Sequence, residues 1–160
     1  MEKIKIGLIR EGKVPPDHRV PLTPKQCKAI QTLYPNVEII AQKSPIRAYK
    51  DEEYAAEGIR LADELSECDI ILGVKEVKID DLIPEKIFMF FSHTIKKQPH
   101  NQKLLKAILD KKIDLYDHET IVDEKFKRLI GFGRYAGIVG AYNGIRAFGI
   151  KFELFNLPKA

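Results

Sequence analysis

The chain has 160 residues, of which 44% are hydrophobic and 31% are charged. This length and composition fit a single folded domain, and the many large aliphatic residues exclude global disorder. No apolar run approaches the roughly 18 residues of a membrane-spanning helix, and the first residues lack the long apolar region of a secretory signal. We therefore expect a cytoplasmic protein that has no membrane partner.

The charge and the cysteines exclude further classes. The net charge is only +4, and Lys and Arg are scattered along the chain, so nucleic acid is not an expected partner. Cys27 and Cys68 lie far apart, and neither they nor the four histidines fit a metal-ligand spacing. We therefore expect two reduced thiols and no metal site.

Apolar runs alternate with helical patterns, which predicts an α/β fold with a mainly parallel sheet. In chain order, strands are predicted at residues 4–9, 37–41, 69–74, 87–92 and 113–116. Helices are predicted at 24–33 after a Thr23 N-cap, at 51–58 with Gly58 as its stop, at 99–109, and at 135–148 with Gly149 as its stop. A short edge strand at 128–132 and an extended stretch at 150–155 complete the pattern.

One segment matches a loose phosphate-binding pattern. Residues 131–136 (GFGRYA) fit G-x-G-x-x-A, and Glu153 falls near the position of a ribose-binding acid. The segment before the pattern is short and half charged, whereas the first strand of a nucleotide-binding unit is buried and apolar. We therefore favour a glycine-rich turn into a closely packed helix over a nucleotide-binding domain. No cofactor-binding residue is assigned in this chain.

Polar residues follow the predicted strands at their carboxyl ends, where open α/β sheets bind ligands. These residues are Lys13 and Arg19 in the first loop, Lys75 and His93 directly after successive strands, and Asp117 and Glu119 after the fifth. A lysine and a histidine at a partly desolvated rim can act as an acid–base pair. Arg19 and Arg128 can bind carboxylates through bidentate contacts, which suits an amino-acid or keto-acid substrate. Taken singly, such a histidine is more often structural and such a lysine more often solvated.

Three stretches carry a family resemblance. Residues 11–24 (EGKVPPDHRVPLTP), 73–76 (GVKE) and 91–96 (FSHTIK) resemble the N-terminal domain of the alanine dehydrogenase, transhydrogenase and saccharopine dehydrogenase superfamily. The region from residue 91 to residue 137 is most similar to lysine-forming saccharopine dehydrogenase and lysine–ketoglutarate reductase. The resemblance covers nearly the whole chain. It implies a three-layer Rossmann-like (flavodoxin-like) substrate domain over residues 1–160 that lacks the nucleotide-binding fingerprint.

The resemblance also implies roles for individual residues. Lys75 and His93 fall on the acid–base pair of the saccharopine branch. The substrate-binding group falls on Arg19, Lys96 and Arg128, and we add Lys13 because it shares the loop of Arg19. Glu76 and Glu119 fall on carboxylates that tune the charge around the lysine and the histidine.

Members of this superfamily with that activity carry a second Rossmann domain with the dinucleotide fingerprint, and these 160 residues do not contain it. The resemblance therefore implies the N-terminal domain of an NAD(P)-dependent oxidoreductase that cleaves or forms saccharopine. NAD or NADP would be bound mainly by a covalently linked downstream domain, and the isolated domain would be inactive. An alanine dehydrogenase domain, a carboxyalkyl-amino-acid synthase domain and a non-catalytic amino-acid-binding module are the alternatives. Homo-oligomerisation is left open.

Overall fold

The structure is a computed structural model that describes residues 3–159, and it divides into two units between Ile121 and Val122. The first unit contains a β-sheet with its helices. The second unit contains one long helix and the C-terminal segment. The assignment of residues 1–160 to one substrate domain stays a prediction.

Strands and helices alternate along the first unit. The strands are β1 (Ile4–Leu8), β2 (Val37–Gln42), β3 (Arg60–Ala62), β4 (Ile70–Leu72), β5 (Ile87–Phe90) and β6 (Asp114–Asp117). The helices are α1 (Pro24–Leu33), α2 (Asp51–Ala56) and α3 (Gln102–Asp110), with 3₁₀ turns at Ile79–Asp81, Thr94–Lys96 and Pro99–Asn101. Thr23 caps α1 as predicted, since its side chain accepts the backbone N–H of Gln26.

All six strands are parallel, and their order across the sheet is β3-β2-β1-β4-β5-β6. The predicted mainly parallel sheet is confirmed. From β1 the next strands are added on one side of the sheet, and from β4 onwards they are added on the other side. The carboxyl ends of β1 and β4 therefore flank the topological switch point. In open α/β sheets, ligands bind in the crevice at this point.

Apolar side chains cover both faces of the sheet. Ile39 and Ile40 in β2 are both fully buried, and they belong to different core clusters because successive side chains of a strand point to opposite faces. The cluster of Ile39 includes Cys27 of α1 and Tyr54 of α2. The cluster of Ile40 includes Ile108 of α3. These clusters confirm the predicted three layers.

The sequence analysis missed β3 because Arg60–Ala62 is only three residues long and lies at the sheet edge, where no apolar run marks it. The strands predicted at 69–74 and 87–92 are shorter in the structure and end at Leu72 and Phe90. The residues beyond these ends lead into the loops that carry the candidate site residues.

The second unit departs most from the sequence-based expectations. The edge strand predicted at 128–132 is wrong, because this segment forms only an isolated antiparallel bridge between Val122 and Arg128. The stop predicted at Gly149 is also wrong, since helix α4 spans Gly133–Lys151. The extended stretch predicted at 150–155 is a helix end followed by a turn in which Leu154 donates to the Gly149 carbonyl at 3.0 Å.

Gly149 has a packing role instead of a helix-ending role. After α4 the chain folds back, and a Cβ on Gly149 would lie 2.4 Å from the ring of Phe155 and 2.7 Å from its carbonyl oxygen. Close packing was also expected at the start of α4, but a Cβ on Gly133 or Gly137 would meet nothing within 4 Å. None of the described helices combines the length and apolar content that crossing a membrane requires.

Candidate functional site

The predicted site residues lie mainly at the carboxyl edge of the sheet. Lys13 and Arg19 follow β1, Lys75 and Glu76 follow β4, His93 and Lys96 follow β5, and Glu119 follows β6. Because β4 pairs with β5 in the sheet, the loops that carry Lys75 and His93 leave adjacent strands. Arg128 lies in the second unit, in the bridge with Val122.

Glu76 is the centre of a charge network. Its carboxylate accepts a hydrogen bond from Lys13 Nζ at 2.8 Å and lies 2.7 Å from His93 Nδ1. Burial raises the pKa of Glu76, but hydrogen bonds from Lys13, from its own backbone and from His93 outweigh burial and lower the pKa to about 2. The carboxylate is therefore ionised at neutral pH.

The ionised Glu76 determines the state of the His93 ring. A carboxylate can only accept, so Nδ1 of His93 carries the hydrogen of this bond. Nε2 is then the nitrogen that can exchange a proton with a ligand. The ring also stacks on Phe91, with ring centres 6.3 Å apart and planes 20° apart. These contacts fix both the tautomer and the orientation of the imidazole.

The backbone of His93 is in the left-handed region, with φ of 55°. This conformation costs a non-glycine residue roughly 1–2 kcal/mol. The neighbouring loop holds it in place, since Ser92 donates to Asp117 and accepts the Thr94 N–H at 3.1 Å. Asp117 also accepts the Glu119 N–H at 2.8 Å, so this buried carboxylate joins the loops after β5 and β6.

Lys75 differs from the other predicted lysines in its contacts. Lys13 is paired with Glu76, and Lys96 is paired with Glu119 at 3.2 Å. Within residues 3–159, the ε-amine of Lys75 makes neither a hydrogen bond nor an ion pair. Its positive charge contributes to lowering the pKa of Asp17. The amine is therefore available to a ligand.

Glu11 was not assigned a role from the sequence, but it holds the backbone at Lys75. Its carboxylate oxygens accept the N–H groups of Val74 at 2.7 Å and of Lys75 at 3.0 Å. Burial raises the pKa of Glu11, although these two hydrogen bonds oppose that effect. The only sequence signal is a carboxylate three residues beyond the end of β1.

Asp17 is a second carboxylate without a role assigned from the sequence. Its side chain binds Arg19 in a two-point contact, with Oδ1 2.9 Å from Nε and Oδ2 facing Nη2. This hydrogen bonding lowers the pKa of Asp17 to about 2 against the opposing effect of burial. The backbone carbonyl of the intervening His18 accepts the Ala48 N–H at 2.7 Å, which attaches this loop to the loop after β2. Asp17 thus orients the guanidinium of Arg19.

Two described segments depart from the dinucleotide fingerprint. The turn after β1 reads Arg10-Glu11-Gly12-Lys13, which lacks the glycine-rich fingerprint. The pattern at 131–136 follows an isolated bridge instead of a buried strand. No cluster of three or more metal-ligating His, Cys, Asp or Glu side chains occurs among residues 3–159.

Comparison with known proteins identifies related chains. Residues 7–139 match the family model described as alanine dehydrogenase/PNT, N-terminal domain. Mitochondrial alpha-aminoadipic semialdehyde synthase of Bos taurus is 38% identical over 149 residues, which cover 93% of this chain. The L-lysine-forming, NAD(+) saccharopine dehydrogenase of Yarrowia lipolytica is 29% identical over 153 residues, which cover 92% of this chain. These matches confirm the resemblance stated from the sequence motifs.

A solved structure of L-alanine dehydrogenase has the same fold. It superimposes with a TM-score of 0.63 at 14% identity, and the match covers 77% of this chain and 34% of that chain. This likeness confirms the predicted Rossmann-like fold. The chain spans 16% of the bovine relative and 41% of the Yarrowia relative.

Proposed function

The chain belongs to the alanine dehydrogenase/PNT N-terminal domain family, and from this premise we propose that it is the substrate domain of an NAD(P)-dependent oxidoreductase of amino-acid metabolism. Its substrate is saccharopine, or lysine and 2-oxoglutarate in the reverse direction. One observation carries the proposal. Beside the switch point, the loops after the adjacent strands β4 and β5 carry an uncommitted lysine amine and a histidine that an ionised glutamate orients.

Saccharopine is the adduct of lysine and 2-oxoglutarate, and one C–N bond joins its two halves. Making or breaking this bond requires proton transfers to and from both halves. When the bond forms, the lysine ε-amine must lose a proton, and the carbonyl oxygen of 2-oxoglutarate must gain protons to leave as water. Cleavage runs through the same transfers in reverse. Lys75 and His93 exchange these protons, His93 through Nε2 because Glu76 engages Nδ1. General acid–base help of this kind contributes about 10²–10⁴ in rate.

The cationic residues bind the carboxylates of the substrate. Arg19, which Asp17 orients, presents a guanidinium suited to a carboxylate. Lys96 supplies further positive charge, and Lys13 supplies charge beside Glu76. Arg128, in the second unit, stays a substrate-binding residue implied by the family resemblance. Glu76 and Glu119 tune the charge around the acid–base pair. Together these residues favour a substrate with several carboxylates over a small neutral one.

The dinucleotide is bound by a part of the enzyme outside this domain. NAD or NADP carries the hydride, and a covalently linked Rossmann domain binds it. This assignment is supported by the isolated bridge, in place of a buried strand, before residues 131–136, and by the greater length of the relatives. The cytoplasmic location stays a prediction, and the bovine relative is a mitochondrial protein.

A calorimetric titration of this chain tests the proposal. Saccharopine and 2-oxoglutarate are compared with alanine and with NADH and NADPH, in wild type, Arg19→Ala and Arg60→Ala. Arg60 is the matched control because it forms ion pairs at the start of β3, at the opposite edge of the sheet. We expect saccharopine to bind, Arg19→Ala to weaken it, and dinucleotides to give no heat.

Three results would contradict the proposal. Clear micromolar binding of NADH or NADPH would restore a nucleotide site at residues 131–136. Preference for alanine over saccharopine would favour an alanine dehydrogenase domain. Equal saccharopine affinity in Arg19→Ala and wild type would remove Arg19 from the substrate-binding group.

A further inference from the structure

We propose that Glu11 is a positioning residue, which fixes the amine of Lys75 at the site by holding the backbone from which that side chain projects. The inference rests on the proposed acid–base role of Lys75. Glu11 lies outside the acid–base pair of Lys75 and His93, and its role is to keep Lys75 in place.

The position of Glu11 follows from the sheet order. The backbone hydrogen bonds between β1 and β4 continue for one residue beyond β1, where the Ile9 N–H donates to the Leu72 carbonyl at 3.0 Å. Beyond Ile9, the side chain of Glu11 takes the place of backbone carbonyls as the hydrogen-bond acceptor for the segment after β4. One carboxylate oxygen takes the Val74 N–H and the other takes the Lys75 N–H, at 2.7 and 3.0 Å. Two bonds to one rigid carboxylate restrict both rotation and translation of the Lys75 backbone.

The other backbone hydrogen bonds of this segment do not use the amides of Val74 and Lys75, and one of them runs from the Gly73 N–H to the Met89 carbonyl at 2.9 Å. The Gly73 carbonyl lies 3.1 Å from His118 Nε2, and the Val74 carbonyl accepts the Phe91 N–H at 3.1 Å. The amides of Val74 and Lys75 both depend on Glu11. Loss of the Glu11 carboxylate therefore leaves the N–H groups of Val74 and Lys75 without their hydrogen-bond acceptors.

The surroundings of Glu11 strengthen these bonds. The carboxylate is half-buried, and partial desolvation makes a charged hydrogen bond stronger than in water. Two charged groups face it, namely Asp17, which raises its pKa, and Arg19, which lowers it.

Two variants separate hydrogen bonding from packing. Glu11→Gln keeps the size of the side chain and one acceptor oxygen, but its NH₂ group faces one of the two amides. Glu11→Ala removes both acceptors. Glu38→Gln is the matched control, because Glu38 pairs with Arg60 near the start of β2, at the opposite edge of the sheet.

Two readouts on this chain test the proposal without requiring turnover. Hydrogen exchange of the Val74 and Lys75 amides is measured by NMR. Competitive acylation with acetic anhydride, read by peptide mass spectrometry, gives the reactivity of the Lys75 amine relative to Lys103. In Glu11→Gln we expect about tenfold faster exchange, which corresponds to about 1.4 kcal/mol. We expect the relative acylation of Lys75 to rise about threefold as this half-buried residue gains freedom, and Glu11→Ala to give larger effects than Glu11→Gln.

The relative acylation of Lys75 decides the outcome. An acylation rate equal to wild type in Glu11→Gln would overturn the proposal, even if the thermal midpoint falls, because Glu11 would then act only on stability. An equal rise in Glu38→Gln would also overturn it. If Glu11→Ala does not fold, Glu11→Gln alone carries the test. The proposed function is tested separately, by the turnover of the enzyme that contains this domain. Normal turnover of its Lys75→Met variant would contradict the proposed function.

Discussion

Replacing Glu76 by glutamine removes the charge that links Lys13 to His93 while the size of the side chain is kept. The pKa of Glu76 lies at about 2, against an ordinary value of 4.5, which corresponds to about 3 kcal/mol in favour of the folded chain. The side chain of Lys13 is 38% exposed, so solvent screening reduces this contribution to about 1–2 kcal/mol. We expect Glu76→Gln to lose that amount of unfolding free energy at pH 7.

The pH dependence of this loss gives a sharper test. A carboxyl group whose pKa is lower in the folded chain stabilises that chain above the unfolded pKa of 4.5, and the effect disappears as the pH falls towards about 2. Urea unfolding of wild type and Glu76→Gln is followed by circular dichroism from pH 7 to pH 2.5. The difference between the two should stay constant from pH 7 to about pH 5 and then shrink as the pH falls to 2.5.

A surface carboxylate provides the control for Glu76→Gln. Glu57 pairs with Lys28, whose side chain is 60% exposed, so Glu57→Gln should cost less than about 1 kcal/mol. A difference in unfolding free energy between wild type and Glu76→Gln that stays constant down to pH 2.5 would refute this role of the Glu76 charge. This role is equally refuted if Glu57→Gln loses as much stability as Glu76→Gln.

Two further predictions concern the loop after β4. A Cβ on Gly73 would lie 2.8 Å from Ile9 Cγ2, so Gly73→Ala should lose about 1–3 kcal/mol of unfolding free energy, and an unchanged urea midpoint would be inconsistent with this close approach. Burial lowers the pKa of His118, so the unfolded chain binds its proton first and stability should fall as the pH drops below 6.5. His118→Gln should flatten this part of the stability–pH curve, and an unaltered slope would refute the role of His118.

The strands could be predicted from sequence because their apolar runs record burial on both faces of a parallel sheet. The runs at 69–74 and 87–92 contain β4 and β5, and the polar residues that follow them lie at the carboxyl edge. The short β3 leaves no such run. Lys75 and His93 could be placed near this edge because each directly follows one of these apolar runs, although β4 and β5 end two residues earlier than predicted.

Residues that act across the fold could not be found in this way. Glu11 and Lys75 are 64 positions apart, and nothing in the local sequence indicates that their contact forms. The close approach of Phe155 to Gly149 likewise depends on the chain folding back after α4, whereas local propensity treats a glycine as a helix stop. Both contacts arise only when distant segments pack, so they become visible with the tertiary structure.

The turnover of the enzyme that contains this domain tests the acid–base role of Lys75 most directly. Oxidation of NADH or NADPH with lysine and 2-oxoglutarate is followed for wild type, Lys75→Met and Lys103→Met. Lys103 is the matched control because it is an exposed lysine of α3. The account predicts that kcat of Lys75→Met falls by about 10²–10⁴, while Lys103→Met stays at the wild-type value. Wild-type turnover by Lys75→Met would contradict it.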